Sequence, residues 1–296
     1  MEHITVLQQE AISALALQSA SVVVDATLGA GGHAQEMLKV LGKDGIYIGF
    51  DADVKAITYA QKTLKGKATI KLVHENFANL DTVLTKEGIG TVDAVLADLG
   101  WRTDQFTEAG RGFSFNDEHG LAMTYGDATD YSFTAYDIVN DWAESDIANV
   151  LYAYGEEHYS RRFAKAIVEA REKAPITTGK ALAAIIEAAA PGPYRRGKTH
   201  AATKSFQGLR IAVNDEFDVL ETFINSAFMH LRPGGRLAII SFHSLEDRIV
   251  KLAFKAFVHD QKGVLVTKKP IVASEAELKT NPRARSAKLR VIEKIV

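Results

Sequence analysis

Cysteine is absent from all 296 residues. Its absence excludes disulfides, thiolate nucleophiles and Cys-ligated zinc, and fits an intracellular, cytoplasmic protein. No apolar run approaches the ~18 residues of a membrane span, so none is expected. The opening Met1-Glu2-His3-Ile4-Thr5-Val6 lacks the basic start and apolar stretch of a signal peptide. A basic excess is missing as well: 35 Lys and Arg stand against 37 Asp and Glu, for a net charge of −2. Freestanding nucleic-acid binders draw most of their affinity from phosphate neutralisation. Composition alone therefore favours a small-molecule enzyme, and a polyanionic partner would have to be met by local clusters. Glycine and proline are not enriched and 47% of residues are hydrophobic, which is the composition of a soluble globular chain.

What is present is a rhythm. Short β-rich runs at 21–25, 45–51, 68–74 and 92–98 alternate with helical spacing at 35–41 and 54–64. Strands alternating with helices predict a parallel sheet covered on both faces, a doubly wound α/β domain. From about Trp101 to Lys204 the strands stop. Polar and Gly-containing loops give way to amphipathic helices expected at 135–154, 159–173 and 179–190, the last ended by Pro191-Gly192-Pro193. The α/β pattern resumes with a helix near 214–231, a Pro233-Gly234-Gly235 turn, a strand at 236–242, and two more candidate strands at 264–267 and 289–292. The expected organisation is an α/β domain of residues 1–104 and 205–296, interrupted by an inserted helical domain of residues 105–204.

Asp25-Ala26-Thr27-Leu28-Gly29-Ala30-Gly31-Gly32-His33 joins the first strand to the first helix. Glycines let the backbone turn tightly and approach a ligand where a Cβ would clash, and open α/β sheets bind ligands at the carboxyl ends of their strands. Asp51 ends the second strand, where a carboxylate can accept hydrogen bonds from both ribose hydroxyls of an adenosine. Gly29 to Ala34 also satisfies the dinucleotide fingerprint, with an acid about 20 residues on. The motif therefore fits a nicotinamide enzyme and a methyltransferase equally. A turn with no ligand is the plainer reading.

Asp98-Leu99-Gly100 ends the fourth strand beside the expected pocket. A cytosine amine is a poor nucleophile because its lone pair is delocalised into the ring. The Asp98 carboxylate and the Leu99 carbonyl, each accepting an N–H, would localise that lone pair and help remove the proton. Asp98 as a cap of the following segment is the alternative.

These motifs resemble the RsmH (MraW) family, which methylates the N4 atom of a cytidine in the decoding region of 16S rRNA. The likeness runs nearly end to end. It includes His3 to Leu7, Asp25 to His33, Asp98 to Gly100 with Gln105, Arg111 to Phe115, Tyr154 to Glu157, Phe206 to Ile211 and Gly234 to Leu237. The longest strings are Ser241-Phe242-His243-Ser244-Leu245-Glu246-Asp247-Arg248 and Asn281-Pro282-Arg283-Ala284-Arg285-Ser286. The resemblance implies an S-adenosyl-L-methionine-dependent methyltransferase fold with a helical insertion that recognises RNA. It implies cofactor contacts at Gly31, Gly32 and His33, with Asp51 on the ribose, Phe77 against the adenine, and Asp98 and Gln105 lining the pocket. The implied substrate is 16S rRNA within the small subunit or its late precursor, and the implied assembly is a monomer or homodimer.

Departures cluster on the expected target-base side. The family's Val-Ser-Ser after Asp98-Leu99-Gly100 is Trp101-Arg102-Thr103 here. Its Leu-Asp-Met-Arg-Met is Leu121-Ala122-Met123-Thr124-Tyr125, and its His-Pro-Ala-Thr-Arg is His200-Ala201-Ala202-Thr203-Lys204. Trp101 either stacks on an extruded base or fills the pocket. Basic clusters at Arg161-Arg162 with Lys165, at Arg195-Arg196-Gly197-Lys198, at Lys204 and Arg210, and at Lys279, Arg283, Arg285, Lys288 and Arg290 would form a phosphate-binding rim. His243 is assigned to the substrate side of the pocket. Glu246 and Asp247 are expected to favour the start of the next helix. No metal ligand set is recognised. A catalytically altered member that binds cofactor or RNA in ribosome assembly, a nicotinamide oxidoreductase and a small-molecule methyltransferase are the competing readings.

Overall fold

The computed structural model describes residues 4–100 and 110–296. These divide into two compact units: residues up to Gly100 together with Phe217–Val296, and residues from Gly110 to Glu216. The sequence reading ended the insertion at 204. The compact helical unit runs further because helix Thr203–Asn214, for which no helix is expected from sequence, buries Phe206, Leu209 and Val213 among the other helices.

The first unit is built on seven strands: β1 Val22–Asp25, β2 Ile46–Asp51, β3 Thr69–His74, β4 Val92–Asp98, β5 Leu231–Ser241, β6 Gly263–Leu265 and β7 Lys288–Lys294. Their order is β3-β2-β1-β4-β5-β7-β6. The first five run parallel, and β7 is antiparallel to both its neighbours. Side chains alternate along a strand, so Val23 and Leu96 face one core while Val24, Val95 and Ala97 face the other. Both faces are apolar, as a parallel sheet requires. Helix Glu216–His230 covers the second face with Leu220, Phe223, Ile224, Ala227 and Phe228, an i, i+3, i+4, i+7, i+8 stripe. The expected Pro-Gly-Gly turn lies inside β5 as an irregularity. Val92 pairs with Leu231 and Ala94 with Arg236, and Gly234 takes φ 79°.

Strand order reverses at β1, which lies between β2 and β4. Open α/β sheets bind ligands beside such a switch point, at the carboxyl ends of the strands, and Asp25, Asp51 and Asp98 all end their strands there.

The second unit is helical. Its core joins Phe113, Leu121 and Met123 to the buried stripes of helices Ala135–Asp141, Glu144–Ala153, Ser160–Arg171, Gly179–Ala189 and Thr203–Asn214. The helix expected over 135–154 is two helices. Trp142 adopts an extended backbone (ψ 157°) and sets its indole edge-on to Phe133, with ring centroids 4.9 Å apart.

Candidate cofactor and methyl-acceptor site

The turn after β1 is fixed from below by a buried carboxylate. Asp25 is 1% exposed; its Oδ1 accepts from the Thr27 N–H at 3.2 Å and its Oδ2 from the Tyr47 hydroxyl at 2.9 Å. Burial pushes its pKa up to about 6, against the opposing pull of His33, Tyr47 and Thr27. Gly29 and Gly31 take φ 53° and 78°, backbone that L side chains disfavour, and the Gly31 N–H closes the turn on the Leu28 carbonyl at 2.8 Å. Helix Gly32–Val40 starts there, so its first N–H groups have no intrahelical carbonyl.

Asp51 holds the turn from the side. Its Oδ2 accepts from Gly29 N–H and its Oδ1 from Asp53 N–H, both at 2.8 Å. A carboxylate offers about four lone-pair sites, so ribose hydroxyls can add to these bonds. Phe77 opens a short 3-10 turn after β3, half-buried, with its ring edge-on to Phe223 at 4.9 Å.

Asp98 comes to the same place from β4. Its N–H donates to the Thr27 hydroxyl at 2.6 Å, and its Oδ2 lies 3.5 Å from His33 Nε2. His33 is 5% exposed. Burial pulls its pKa down, but Asp98 and Asp25 outweigh that and hold it above the ordinary value. Both ring nitrogens of His33 and Oδ1 of Asp98 are buried without a hydrogen-bond partner. Buried polar atoms are nearly always satisfied, so this donor and acceptor set fits a polar ligand. Leu99 is buried and its N–H donates to Ile240 O at 2.9 Å. At Gly100, φ is 136° and a Cβ would lie 3.1 Å from the Phe242 ring. The expected Gln105 contact and Trp101-Arg102-Thr103 lie outside the described residues.

His243 lies where β5 gives way to the next helix. It is the N-cap of helix Ser244–His259: its Nδ1 accepts from Glu246 N–H at 3.3 Å, and Glu246 Oε2 accepts from Phe242 and His243 N–H at 2.8 and 3.3 Å. A histidine replaces the usual Ser or Thr of a capping box. Asp247 sits with Glu246 in the acidic first turn of that helix and also holds two cations. It takes Arg290 Nε at 2.7 Å and Lys288 Nζ at 3.2 Å. Burial raises its pKa, but those two cations prevail and hold it below the usual carboxylate range. Lys288 and Arg290, expected on the phosphate rim, thus already have an anion.

In the helical unit, Asp117 organises the 110–119 loop by accepting from Gly112 N–H at 2.7 Å and His119 N–H at 2.9 Å. Gly112 takes φ 80°, and a Cβ there would lie 2.5 Å from Leu121 Cα. The altered 121–125 segment is tied down internally. The Thr124 hydroxyl donates to Gly126 O at 3.1 Å, Asn214 Oδ1 accepts from Tyr125 N–H at 3.0 Å, and the Tyr125 hydroxyl bonds Glu216. Arg210 is engaged bidentately by Glu216 at 2.7 and 2.8 Å, and Lys204 Nζ donates to Glu156 O at 3.0 Å, so neither is the open phosphate ligand expected. Arg161, Arg162, Arg196 and Lys198 are exposed; Arg195, also exposed, closes a one-turn helix, Gly192–Arg195, where a loop was expected.

The burial of Asp25 makes stability depend on pH. Asp25 binds its proton more tightly folded (about 6) than unfolded (~3.9), so its contribution to stability is full below pH ~4 and is lost as pH rises through 6, about 3 kcal/mol in all. The variant Asp25→Asn should lack that component. The gap in urea stability between parent and variant should therefore change between pH 4 and 6 and stay flat above 7. A gap independent of pH would show that Asp25 ionises well below this window.

The chain is similar to known methyltransferases along nearly its whole length. The MraW methylase family model matches residues 1–295. The ribosomal RNA small subunit methyltransferase H of Limosilactobacillus fermentum is 43% identical, over 99% of this chain and 98% of its own length. The protein of the same name from Synechococcus elongatus is 43% identical, over 99% and 95%. A nicotinamide oxidoreductase is thereby set aside: the chain belongs to the MraW methylase family, and is an S-adenosyl-L-methionine-dependent methyltransferase.

Proposed function

We propose that this chain transfers the methyl group of adenosylmethionine to the N4 amine of a cytidine in the decoding region of 16S rRNA. The observation that carries the reading is the convergence of Asp98, His33 and the glycine turn at the strand switch point, with buried polar atoms of His33 and Asp98 left open to a ligand. Close relatives along nearly the whole chain are named as small-subunit rRNA methyltransferases, which favours RNA over a small-molecule acceptor.

Gly31, Gly32 and His33 would hold the cofactor, with Asp51 on its ribose and Phe77 against its adenine. When bound, the cofactor supplies an electrophilic methyl on a sulfonium. The Asp98 carboxylate and Leu99 carbonyl accept the two amine N–H bonds and turn the N4 lone pair outward. Asp98 would take the proton that the amine gives up on methylation and pass it to solvent. His33 Nε2, 3.5 Å from the Asp98 carboxylate, offsets part of its charge when protonated. Exposed Arg161, Arg162, Arg196, Lys198, Lys279, Arg283 and Arg285 offer phosphate contacts despite the net charge of −2. The target nucleotide must be unstacked to reach the donor. The setting is the cytoplasm and the substrate the small subunit or its late precursor, with the enzyme a monomer or homodimer. No helix among the described residues is long and apolar enough to cross a membrane.

One observation favours a second reading, a member that binds without catalysing. Thr124 is buried, 2% exposed, with its hydroxyl tied to Gly126 where the family carries an arginine. Methyl transfer from labelled adenosylmethionine to 30S subunits lacking the modification separates the two. N4-methylcytidine in the digested RNA is the expected product; cofactor binding without transfer would leave the second reading standing.

A further inference from the structure

The glycine turn is covered by the beginning of the chain, and the beginning is held by the end. Ile4 to Leu7 lie over the turn, with Val6 and Leu7 buried in the same core as Met37 and Leu64. A Cβ on Gly32 would overlap the Thr5 hydroxyl oxygen and stand 3.0 Å from Thr5 Cβ. Gln8 Nε2 donates to Gly32 O at 2.9 Å. From the other side, Leu7 N–H donates to Glu277 Oε1 at 2.8 Å, and Asn281 Nδ2 donates to Ile4 O at 3.1 Å. Asn281 is itself buried, 4% exposed, and its N–H bonds Glu277 O at 2.7 Å. Leu7 takes φ 49°, an uncommon conformation for a branched residue, which contacts on both sides must hold.

This geometry changes the meaning of Gly32. Unlike Gly29 and Gly31, it has no positive φ demanding glycine. What forbids a side chain there is Thr5, not the turn. The residues 4–8 press directly on the backbone whose N–H groups open helix Gly32–Val40, and their position is set 270 residues later in sequence by Glu277.

We propose that Thr5, Gln8, Glu277 and Asn281 are positioning residues for the cofactor. The N-terminal segment, clamped by the C-terminal one, fixes the height of the Gly31-Gly32 backbone against adenosylmethionine. This rests on the turn being the cofactor site, so the test includes Asp51→Ala as a control on that assignment.

The measurement is the calorimetric Kd for S-adenosylhomocysteine, with thermal melting recorded alongside. Gly32→Ala should weaken binding at least tenfold, and adding Thr5→Gly should restore it to within about threefold, because the second change removes the atoms that the new methyl meets. Glu277→Ala should weaken binding about five- to tenfold. Glu277→Gln, which keeps an acceptor for Leu7 N–H, should bind as the parent does. Amide hydrogen exchange at residues 31–34 should quicken in Glu277→Ala and not in Glu277→Gln. Failure of Thr5→Gly to rescue Gly32→Ala would mean that Gly32 faces the ligand itself, and the proposal falls. A lowered melting temperature in Glu277→Ala with unchanged Kd would also overturn it, by reducing the clamp to a purely structural role. If Asp51→Ala binds as tightly as the parent, the site assignment fails instead; if Asp51→Ala is weak while the other variants are not, only the clamp fails.

Discussion

Replacement of Asp98 by alanine should lower kcat for methyl transfer by about 10²–10⁴-fold, the range expected when a positioned acid–base group is lost. Asp98 is the carboxylate at the end of β4 that is poised beside His33, with its backbone fixed by the Thr27 hydroxyl. The side chain can go without disturbing that N–H bond, so the strand end should survive the change. The loss should therefore persist at saturating adenosylmethionine. Asp98→Asn makes the sharper comparison: it keeps the shape and one acceptor but takes up no proton, and should fall nearly as far as alanine. Single-turnover methylation of unmodified 30S subunits reads both. An alanine variant retaining more than about a tenth of parental kcat would remove Asp98 from the chemistry.

The second large effect concerns support rather than contact. Phe223 is fully buried on helix Glu216–His230 and stands edge-on behind Phe77. Truncation to alanine should cost about 3–5 kcal/mol through lost transfer energy and a cavity, a large share of the ~5–15 kcal/mol that holds a domain together. Because Phe77 is the proposed platform for the adenine, cofactor affinity should fall too, and Phe223→Leu should be intermediate in both. Denaturant unfolding gives the first quantity and calorimetry the second. A destabilised variant with parental affinity would show that Phe77 keeps its place without its neighbour, or is not the platform.

Much of the α/β unit could be read from the order of residues, since parallel strands buried on both faces are written as short continuous apolar runs. Val92–Asp98 is the clearest case, its bounds falling where the run begins and the acid ends it. The glycine turn itself was equally legible because glycine and acid positions carry steric meaning locally. What escaped were interactions whose partners are distant in sequence. Nothing near Asp247 announces Arg290, and nothing near Gly32 announces Thr5 as the reason for its missing side chain. The capping role of His243 was hidden for a related reason: its spacing to Glu246 suits a pocket or a cap, and only backbone geometry reveals the cap. Helix Thr203–Asn214 was hidden inside a stretch read for its motif, although Phe206, Leu209 and Val213 carry helical spacing.

The pairing of β4 with β5 joins Asp98 to Ile240, across the whole helical unit. During synthesis the strand that bears the proposed catalytic acid thus waits with one edge open while the intervening chain is made. Closing so long a loop slows folding more than it weakens the final state. An exposed edge is also a place for wrong pairing. The helical unit, with its own core, can fold in that interval and shorten the effective loop. The clamp at Glu277 and Asn281 is made later still, so a nascent chain completes the glycine turn only after residue 281 has left the ribosome.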